Sequence, residues 1–292
     1  MYAVDSGLTF SHHTIRTRDG LNIAVHETGR GDPLIYATGI GVHHEGLIPF
    51  FEPLSRRYRV ITWDYRCMGD SENPDPMPDL TMERHALDGL DVMNALKVPK
   101  APLVGWSMGV PVGLEMIRQE PHRFSAYVAL FGGPGKPFEE GFPPPAAWAL
   151  KKMFRVLEEV PEVSQAALGL SQTLPEVAFQ LLSGISFVGR SVDRDAFSRQ
   201  MAGVSKTPQR PYFKTLLHLA EHSAADLLPT LSTKSLVIAG NKDWLTPANS
   251  ARRMARAIPQ CELLVLAKAT HFGLIEEPEE VTGRILEFLE KT

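Results

Sequence analysis

Covalent cross-linking has little to work with in this sequence of 292 residues: there are two cysteines, Cys67 and Cys261. One pair cannot build the disulfide framework on which small secreted domains depend, so both are expected to be unpaired and reduced. Long apolar runs are missing as well. None approaches the ~18 residues a membrane-spanning helix requires, so no membrane span is expected. The opening stretch, Met1 to Phe10, contains Asp5 and has neither a basic start nor a long apolar centre, so it does not read as a secretory signal. A strong excess of one charge is lacking: 34 acidic residues stand against 30 basic ones, a net −4, which argues against a nucleic-acid partner. Repeats and low-complexity tracts are also absent. These absences leave a soluble protein, cytoplasmic by default, and composition alone does not make it an enzyme; a small-molecule substrate is expected only from the motifs that follow.

What is present suits a packed core. Hydrophobic residues make up 43% of the chain, and its length corresponds to one large domain or two smaller ones. Thr14–Thr17 and Leu21–Val25 alternate in polarity around Asp19-Gly20, which predicts a hairpin with a type I′ turn. Short apolar runs at Pro33–Ala37, Arg59–Asp64, Ala101–Trp106, Ser125–Phe131, Leu236–Ala239 and Glu262–Leu266 read as buried strands. Helical spacing appears over 80–96, 108–119, 248–258 and 278–289. Strands alternating with helices at this spacing predict an α/β fold: a mostly parallel central sheet with helices on both faces. Between about 135 and 225 the alternation stops. Pro134, Pro137, Pro143, Pro144 and Pro145 mark the entry, and only helical patterns follow. The expected division is a core of residues 1–134 and 226–292 with an inserted helical cap, or lid, at 135–225.

The sharpest chemical signal is Gly105-Trp106-Ser107-Met108-Gly109, which fits Gly-x-Ser-x-Gly between a predicted strand and a predicted helix. Small residues two before and two after the serine are needed because a Cβ there would collide with a neighbouring strand or helix. The turn pushes the Ser107 hydroxyl out at the carboxyl end of the sheet. It also aims the Met108 backbone N–H, at a helix N-terminus, toward a developing oxyanion.

A serine hydroxyl is a poor nucleophile at neutral pH and needs a base, which in turn needs an orienting carboxylate. Of ten histidines, His271 is the one placed in the loop just after the last predicted strand, at the same sheet edge as Ser107. Asp243 follows the strand Leu236–Ala239, and the order Ser, Asp, His is the one expected for such an arrangement. Helix capping by Asp243 is the competing role, but Thr246 and Pro247 are expected to supply the cap and first turn. An acid after the preceding strand is not available, because that exit reads Gly132-Gly133-Pro134. The second oxyanion donor is expected from the loop after Leu34–Ala37, where Gly39 admits close backbone approach and Ile40 offers its N–H. Flanking these positions, Gly39, Trp106, Trp244 and Phe272 are the candidate substrate contacts.

With those residues on the page, the sequence resembles the α/β-hydrolase superfamily, in its capped esterase/lipase-like branch. The likeness covers nearly the whole chain outside the cap. It rests on the turn at Ser107, on Gly240-x-x-Asp243-x-x-x-Pro247, and on the His271 loop with Glu276-Glu277-Pro278. It rests also on Asp64-Tyr65-Arg66-Cys67-Met68-Gly69-Asp70-Ser71, which looks like that family's Asp-x-Arg-Gly-x-Gly-x-Ser loop. Two positions depart from the pattern: Thr38-Gly39 stands for the usual His-Gly, and Cys67 for the loop's first glycine. The resemblance implies hydrolysis of a carboxylic ester through an acyl-enzyme, without cofactor or metal. Lactone, thioester and carbon–carbon bond cleavage and perhydrolysis use the same groups, and a ligand-binding protein on the same fold is a further alternative. A serine nucleophile argues against the dehalogenase and epoxide-hydrolase chemistries of the superfamily, which use aspartate.

Other signals weigh less. His218-Leu219-Ala220-Glu221-His222 matches a zinc-peptidase pattern, but no third ligand is evident, and it reads as the polar face of a cap helix. His43-His44-Glu45 reads as a solvated loop pair that could line the mouth near Ile40. Apolar cap residues, among them Trp148, Met153, Phe154, Leu157, Leu168, Leu170, Leu174, Phe179, Leu181, Leu182, Ile185, Phe187 and Phe197, are expected mostly to pack, with some facing the cleft and favouring an apolar acyl or alcohol group.

Overall fold

The computed structural model describes residues 8–166 and 174–292. Eight strands form one sheet: β1 (Ser11–Arg16), β2 (Asn22–Thr28), β3 (Asp32–Ala37), β4 (Tyr58–Trp63), β5 (Ala101–Trp106), β6 (Phe124–Leu130), β7 (Ser235–Gly240) and β8 (Cys261–Leu266). Their spatial order is β1-β2-β4-β3-β5-β6-β7-β8. The β1/β2 and β2/β4 pairs are antiparallel and every later pair is parallel. This is the mostly parallel sheet that the strand–helix alternation requires.

Alternation within the strands divides the core into two layers. Ile35, Ile61, Leu103 and Val237 join one buried cluster, which takes in α2 (Met82–Ala95), α3 (Gly109–Gln119) and α9 (Ala248–Ala257). Leu34, Val60, Val104, Leu236 and Ile238 join the other, with α1 (Ile48–Ser55) and α11 (Pro278–Leu289). Helix α2 starts where Thr81 accepts a hydrogen bond from the Arg84 backbone N–H, a side-chain N-cap. Helix α1 has no counterpart in the sequence reading because it carries Pro49 and Pro53. Burial of Phe50, Phe51 and Leu54 holds it in place despite the proline inside.

One local expectation fails. The β1–β2 connection is a three-residue loop in which Gly20 takes φ +89 and Asp19 does not have positive φ. It is therefore not a type I′ turn, which would need φ > 0 at both residues, and it matches the longer hairpin loop that ends on a left-handed glycine. Cys67 adopts φ +63, the region that favours glycine, which explains why a glycine is usual at this point of the loop.

That loop is anchored by a buried ion cluster. Arg66 and Asp88 are both fully buried and pair through two hydrogen bonds of 2.7 and 2.6 Å. Asp19 and Arg84 extend the cluster outward.

Between β6 and β7 the described residues are helical: α4 (Pro137–Gly141), α5 (Pro144–Glu159), α6 (Pro175–Gly184), α7 (Arg194–Lys206) and α8 (Gln209–Glu221), followed by a short 3-10 turn. The chain enters and leaves this insert side by side. Lys136 N–H donates to His222 O at 3.0 Å and Ala224 N–H to Pro134 O at 2.8 Å. Packing inside the insert is looser than the sequence suggests. Phe179 and Phe197 are buried, but Trp148, Met153, Leu174, Leu181 and Ile185 are exposed. Leu168 and Leu170 lie outside the described residues.

The ion cluster makes a stability prediction. Asp88→Ala leaves the Arg66 guanidinium buried without its partner and should lower the unfolding free energy by about 3–5 kcal/mol. The double variant Asp88→Leu/Arg66→Met should recover most of that loss, and urea denaturation of the three proteins measures both effects.

Candidate active site

Ser107 sits in the two-residue bend, Ser107-Met108, between β5 and α3, with φ +54, a strained value for a residue with a side chain. The bend survives because its neighbours leave room. A Cβ on Gly105 would lie 2.3 Å from Gly109 O, and one on Gly109 would lie 1.9 Å from Ala37 O. Ser107 N–H donates to Leu130 O at 3.0 Å, which ties the bend to β6.

The loops after β7 and β8 arrive at the same edge. His271 Nε2 lies 2.9 Å from Ser107 Oγ, and His271 Nδ1 lies 2.9 Å from Asp243 Oδ2. Asp243 and His271 are both buried. An Asp243 oxygen against Nδ1 favours the tautomer with the proton on Nδ1, which leaves Nε2 free to accept from the serine.

Asp243 is not spare for this purpose, contrary to expectation. Its Oδ1 accepts from the N–H groups of Leu245 at 3.0 Å and Thr246 at 2.9 Å, while Thr246 Oγ1 donates to Oδ2 at 2.6 Å. The carboxylate closes the turn before α9 and faces His271 at once. Thr246 and Pro247 do not form the expected cap: Pro247 is itself the N-cap residue and no side chain caps α9.

Ile40 and Met108 occupy the two loops beside Ser107. Among the described residues, neither backbone N–H has a protein acceptor. Gly39 packs on the nucleophile turn; a Cβ there would lie 3.4 Å from Ser107 Cβ. Tyr65 Oη donates to Thr38 O at 2.8 Å and fixes the start of this loop. Its far end is clamped by Gln200 of α7, which accepts from His43 N–H at 3.3 Å and donates to His43 O at 3.2 Å.

The aromatic candidates make contacts of their own around the serine. Trp106 is fully buried and its Nε1 donates to His271 O at 3.2 Å, so it supports the histidine loop from behind. Phe272 packs edge-on against Trp106 and against Phe187 of the insert. Trp244 donates to Ile185 O at 3.0 Å and contacts Phe142, so it joins the core to the insert. The cleft beside Ser107, of about 30 Å³, is lined by Met108, Pro111, Glu140, Leu219, Thr246 and Ser250 and by nearby glycines and Pro137.

Two supports were not visible beforehand. Thr246 has no motif to mark it. Glu276 was noted only as part of the Glu-Glu-Pro run, yet its buried carboxylate accepts from Thr270 N–H at 2.9 Å, from Thr270 Oγ1 and from Gly189 N–H, both at 2.5 Å. It therefore holds the residue before His271 and a turn of the insert together. Cys67 is buried, and burial pushes its thiol up to about 11, away from nucleophilic use. His218 and His222 do not converge on one another: His222 Nδ1 turns to Glu83 at 3.2 Å, and Glu221 pairs with Arg155.

A family model for the alpha/beta hydrolase fold matches residues 32–278. The chain belongs to the α/β-hydrolase family. This α/β-hydrolase is 24% identical over 268 residues to a 3-oxoadipate enol-lactonase of Acinetobacter baylyi, covering 91% of this chain and 92% of that one. It is 27% identical over 278 residues to a putative non-heme bromoperoxidase of Mycobacterium tuberculosis, covering 92% and 97%. Among solved structures it is similar to an esterase of Exiguobacterium antarcticum (TM-score 0.81, 20% identity, 96% of this chain and all of that one). A thermophilic esterase of Thermogutta terrifontis superposes with a TM-score of 0.75 at 26% identity, covering 96% and 98%. No helix among the described residues is long and apolar enough to cross a membrane.

The role of Glu276 can be checked without any substrate. Glu276→Ala removes three hydrogen bonds to a buried carboxylate and strands their donors, so the unfolding free energy should fall by at least about 3 kcal/mol in denaturant titrations. A change under 1 kcal/mol would show that the His271 loop is held by other contacts.

Proposed function

We propose that this α/β-hydrolase is a serine hydrolase that cleaves carboxylic esters through an acyl-enzyme. The observation that carries this reading is the continuous hydrogen-bonded line Ser107–His271–Asp243, with 2.9 Å at each step. Ser107 Oγ attacks the ester carbonyl carbon as His271 Nε2 takes its proton. The carbonyl π pair moves onto oxygen, and the N–H groups of Ile40 and Met108 receive that oxyanion. Collapse of the tetrahedral adduct breaks the bond to the alkoxide, which leaves as alcohol with the proton from His271. Water then repeats the sequence on the acyl-serine and releases the acid. Asp243 keeps its charge throughout and stabilises the imidazolium.

In the same reading, residues 135–225 act as a cap over this edge of the sheet. Support comes from contacts between insert and mouth: Gln200 on His43, Trp244 on Ile185, and Tyr212 of α8, whose ring would lie 2.8 Å from a Cβ on Gly41. The cleft is narrow, well below the volume of a drug-sized ligand pocket, and Pro111 and Leu219 give it an apolar side. Short acyl or alcohol groups suit it. A lactone is a cyclic ester and asks for no further group. Relatives described as enol-lactonases, and a solved structure described as degrading N-acyl homoserine lactones, favour including that class.

The test is hydrolysis of p-nitrophenyl esters of graded chain length, beside a panel of simple lactones. Activity should be highest for acetate to butyrate, and Ser107→Ala should lower kcat/KM by at least about 10³-fold while leaving thermal unfolding unchanged. Asp243→Asn should cost roughly 10⁴-fold in kcat by favouring the wrong tautomer. A fluorophosphonate probe should label the wild type at Ser107 alone. Labelling without turnover of any ester or lactone would move the reading to another acyl or carbon–carbon substrate, and absence of labelling would end it.

A further inference from the structure

The histidines outside the candidate active site are not scattered. His12 on β1 and His26 on β2 are direct cross-strand partners in the register, so their side chains leave the sheet on the same face. His44 reaches them from the 3-10 turn His44–Leu47 that follows the loop after β3. His12 Nδ1 and His26 Nδ1 face each other at 2.8 Å, and the rings of His26 and His44 stack at 3.8 Å. One ring nitrogen from each of the three lies within 4.8 Å of the other two.

We propose that His12, His26 and His44 bind one divalent transition-metal ion of the zinc class. Three observations carry this independently of the proposed hydrolase chemistry. The first is the convergence itself. An ion held at 2.0–2.1 Å by three imidazoles in tetrahedral geometry places their nitrogens roughly 3.4 Å apart, so binding requires the His26 and His44 rings, stacked at 22°, to tilt toward a common point. The second is an unmet demand. His44 is 95% buried by its exposure of 5%, yet its Nδ1 has no hydrogen-bond partner. A buried ring nitrogen left without a partner is costly unless something else occupies it.

The third is the outer layer. His26 Nε2 lies 3.2 Å from Asp64 Oδ2, and both residues are buried. A metal-ligating histidine commonly turns its other nitrogen to a carboxylate, which sets the tautomer and raises ligand basicity. Here Nε2 lies within ion-pair range of Asp64 without a hydrogen bond, which a slight turn of the ring would complete, and Nδ1 of His26 is directed at His12. Asp64 is itself fixed, accepting from Asp70 N–H at 2.8 Å. All three donors are neutral nitrogens, which suits zinc, cobalt, nickel or copper and not the oxygen-seeking calcium or magnesium. His12 is exposed, so a fourth position opens to water. Bound there, the ion would join the first hairpin to the turn that leads out of the Ile40 loop, four residues beyond Ile40.

The experiment uses the full chain with any affinity tag removed and metal stripped by chelator, titrated calorimetrically with Zn²⁺. We expect one Zn²⁺ per chain at micromolar or lower Kd, and X-ray absorption of the zinc-loaded protein should fit three imidazole nitrogens near 2.0–2.1 Å. His12→Ala, at an exposed position, should fold normally and weaken binding at least tenfold. Asp64→Asn should weaken it 10- to 100-fold through His26. His13→Ala is the control: its ring turns to Glu27 at 2.8 Å, and its loss should leave affinity unchanged. Absence of stoichiometric binding, or Zn²⁺ held as tightly by His12→Ala as by the wild type, would overturn the proposal.

Discussion

The close approach of backbone around Ser107 is the constraint on which the rest of this molecule depends. A helix start, a strand end and the neighbouring strand β3 meet at Gly105, Gly109 and Ala37 with less space than a single methyl group needs. Only glycine at both flanking positions lets α3 pack directly on the sheet, and only that packing forces Ser107 into its left-handed conformation. The strain of such a residue is of order 1–3 kcal/mol. The buried contacts of β3, β5, β6 and α3, which belong to the two large core clusters, outweigh it. The placement of this half-buried serine at the sheet edge is thus a by-product of tight core packing.

Once the serine is fixed by packing, its partners must be fixed by polar contacts, since both ride on loops. The solution is economical in residues. Asp243 closes its own turn through Oδ1 and offers Oδ2 to His271, so the carboxylate is oriented before any imidazole arrives. His271 is held on one side by Trp106 Nε1 at its carbonyl and on the other by the Glu276 clamp on Thr270. Each loop is thereby braced by groups that do not depend on a ligand, which is the condition for preorganised electrostatics.

How much of this could be read from the residues alone follows from where each determinant lies. The strands were legible because a sheet covered on both faces makes its strands continuous apolar runs. The Ser107 turn was legible because its steric demand is local, spanning five residues. The convergence of Ser107, His271 and Asp243 followed from placing each after a parallel strand. What could not be read was set by distant partners. Helix α1 is helical because Phe50, Phe51 and Leu54 are buried against other elements, which outweighs two prolines. The double duty of Asp243 depends on a turn conformation. The burial of His44, expected in a solvated loop, arises from Phe10, just before β1, and from His12 and His26 on β1 and β2 packing against it.

The insert is where local and distant determinants compete most openly. Nine of its described large apolar residues, Trp148 and Leu181 among them, stay exposed while others close on the core, so its sequence is not spent entirely on packing. Its base is pinned by the paired entry and exit at Gly135 and Ser223, and its far side is pinned by Gln200 to the loop that carries Ile40. Any displacement of α7 therefore pulls on His43, three residues beyond Ile40, and so on one of the two free N–H groups beside Ser107. Under the proposed reading, cleft size and oxyanion geometry are then not separate variables. A substrate too large for the cleft would shift the insert and also disturb the donor that its own reaction requires. Selectivity for small acyl groups would then show in kcat as well as in KM, because the same clamp that bounds the cleft positions the catalytic N–H.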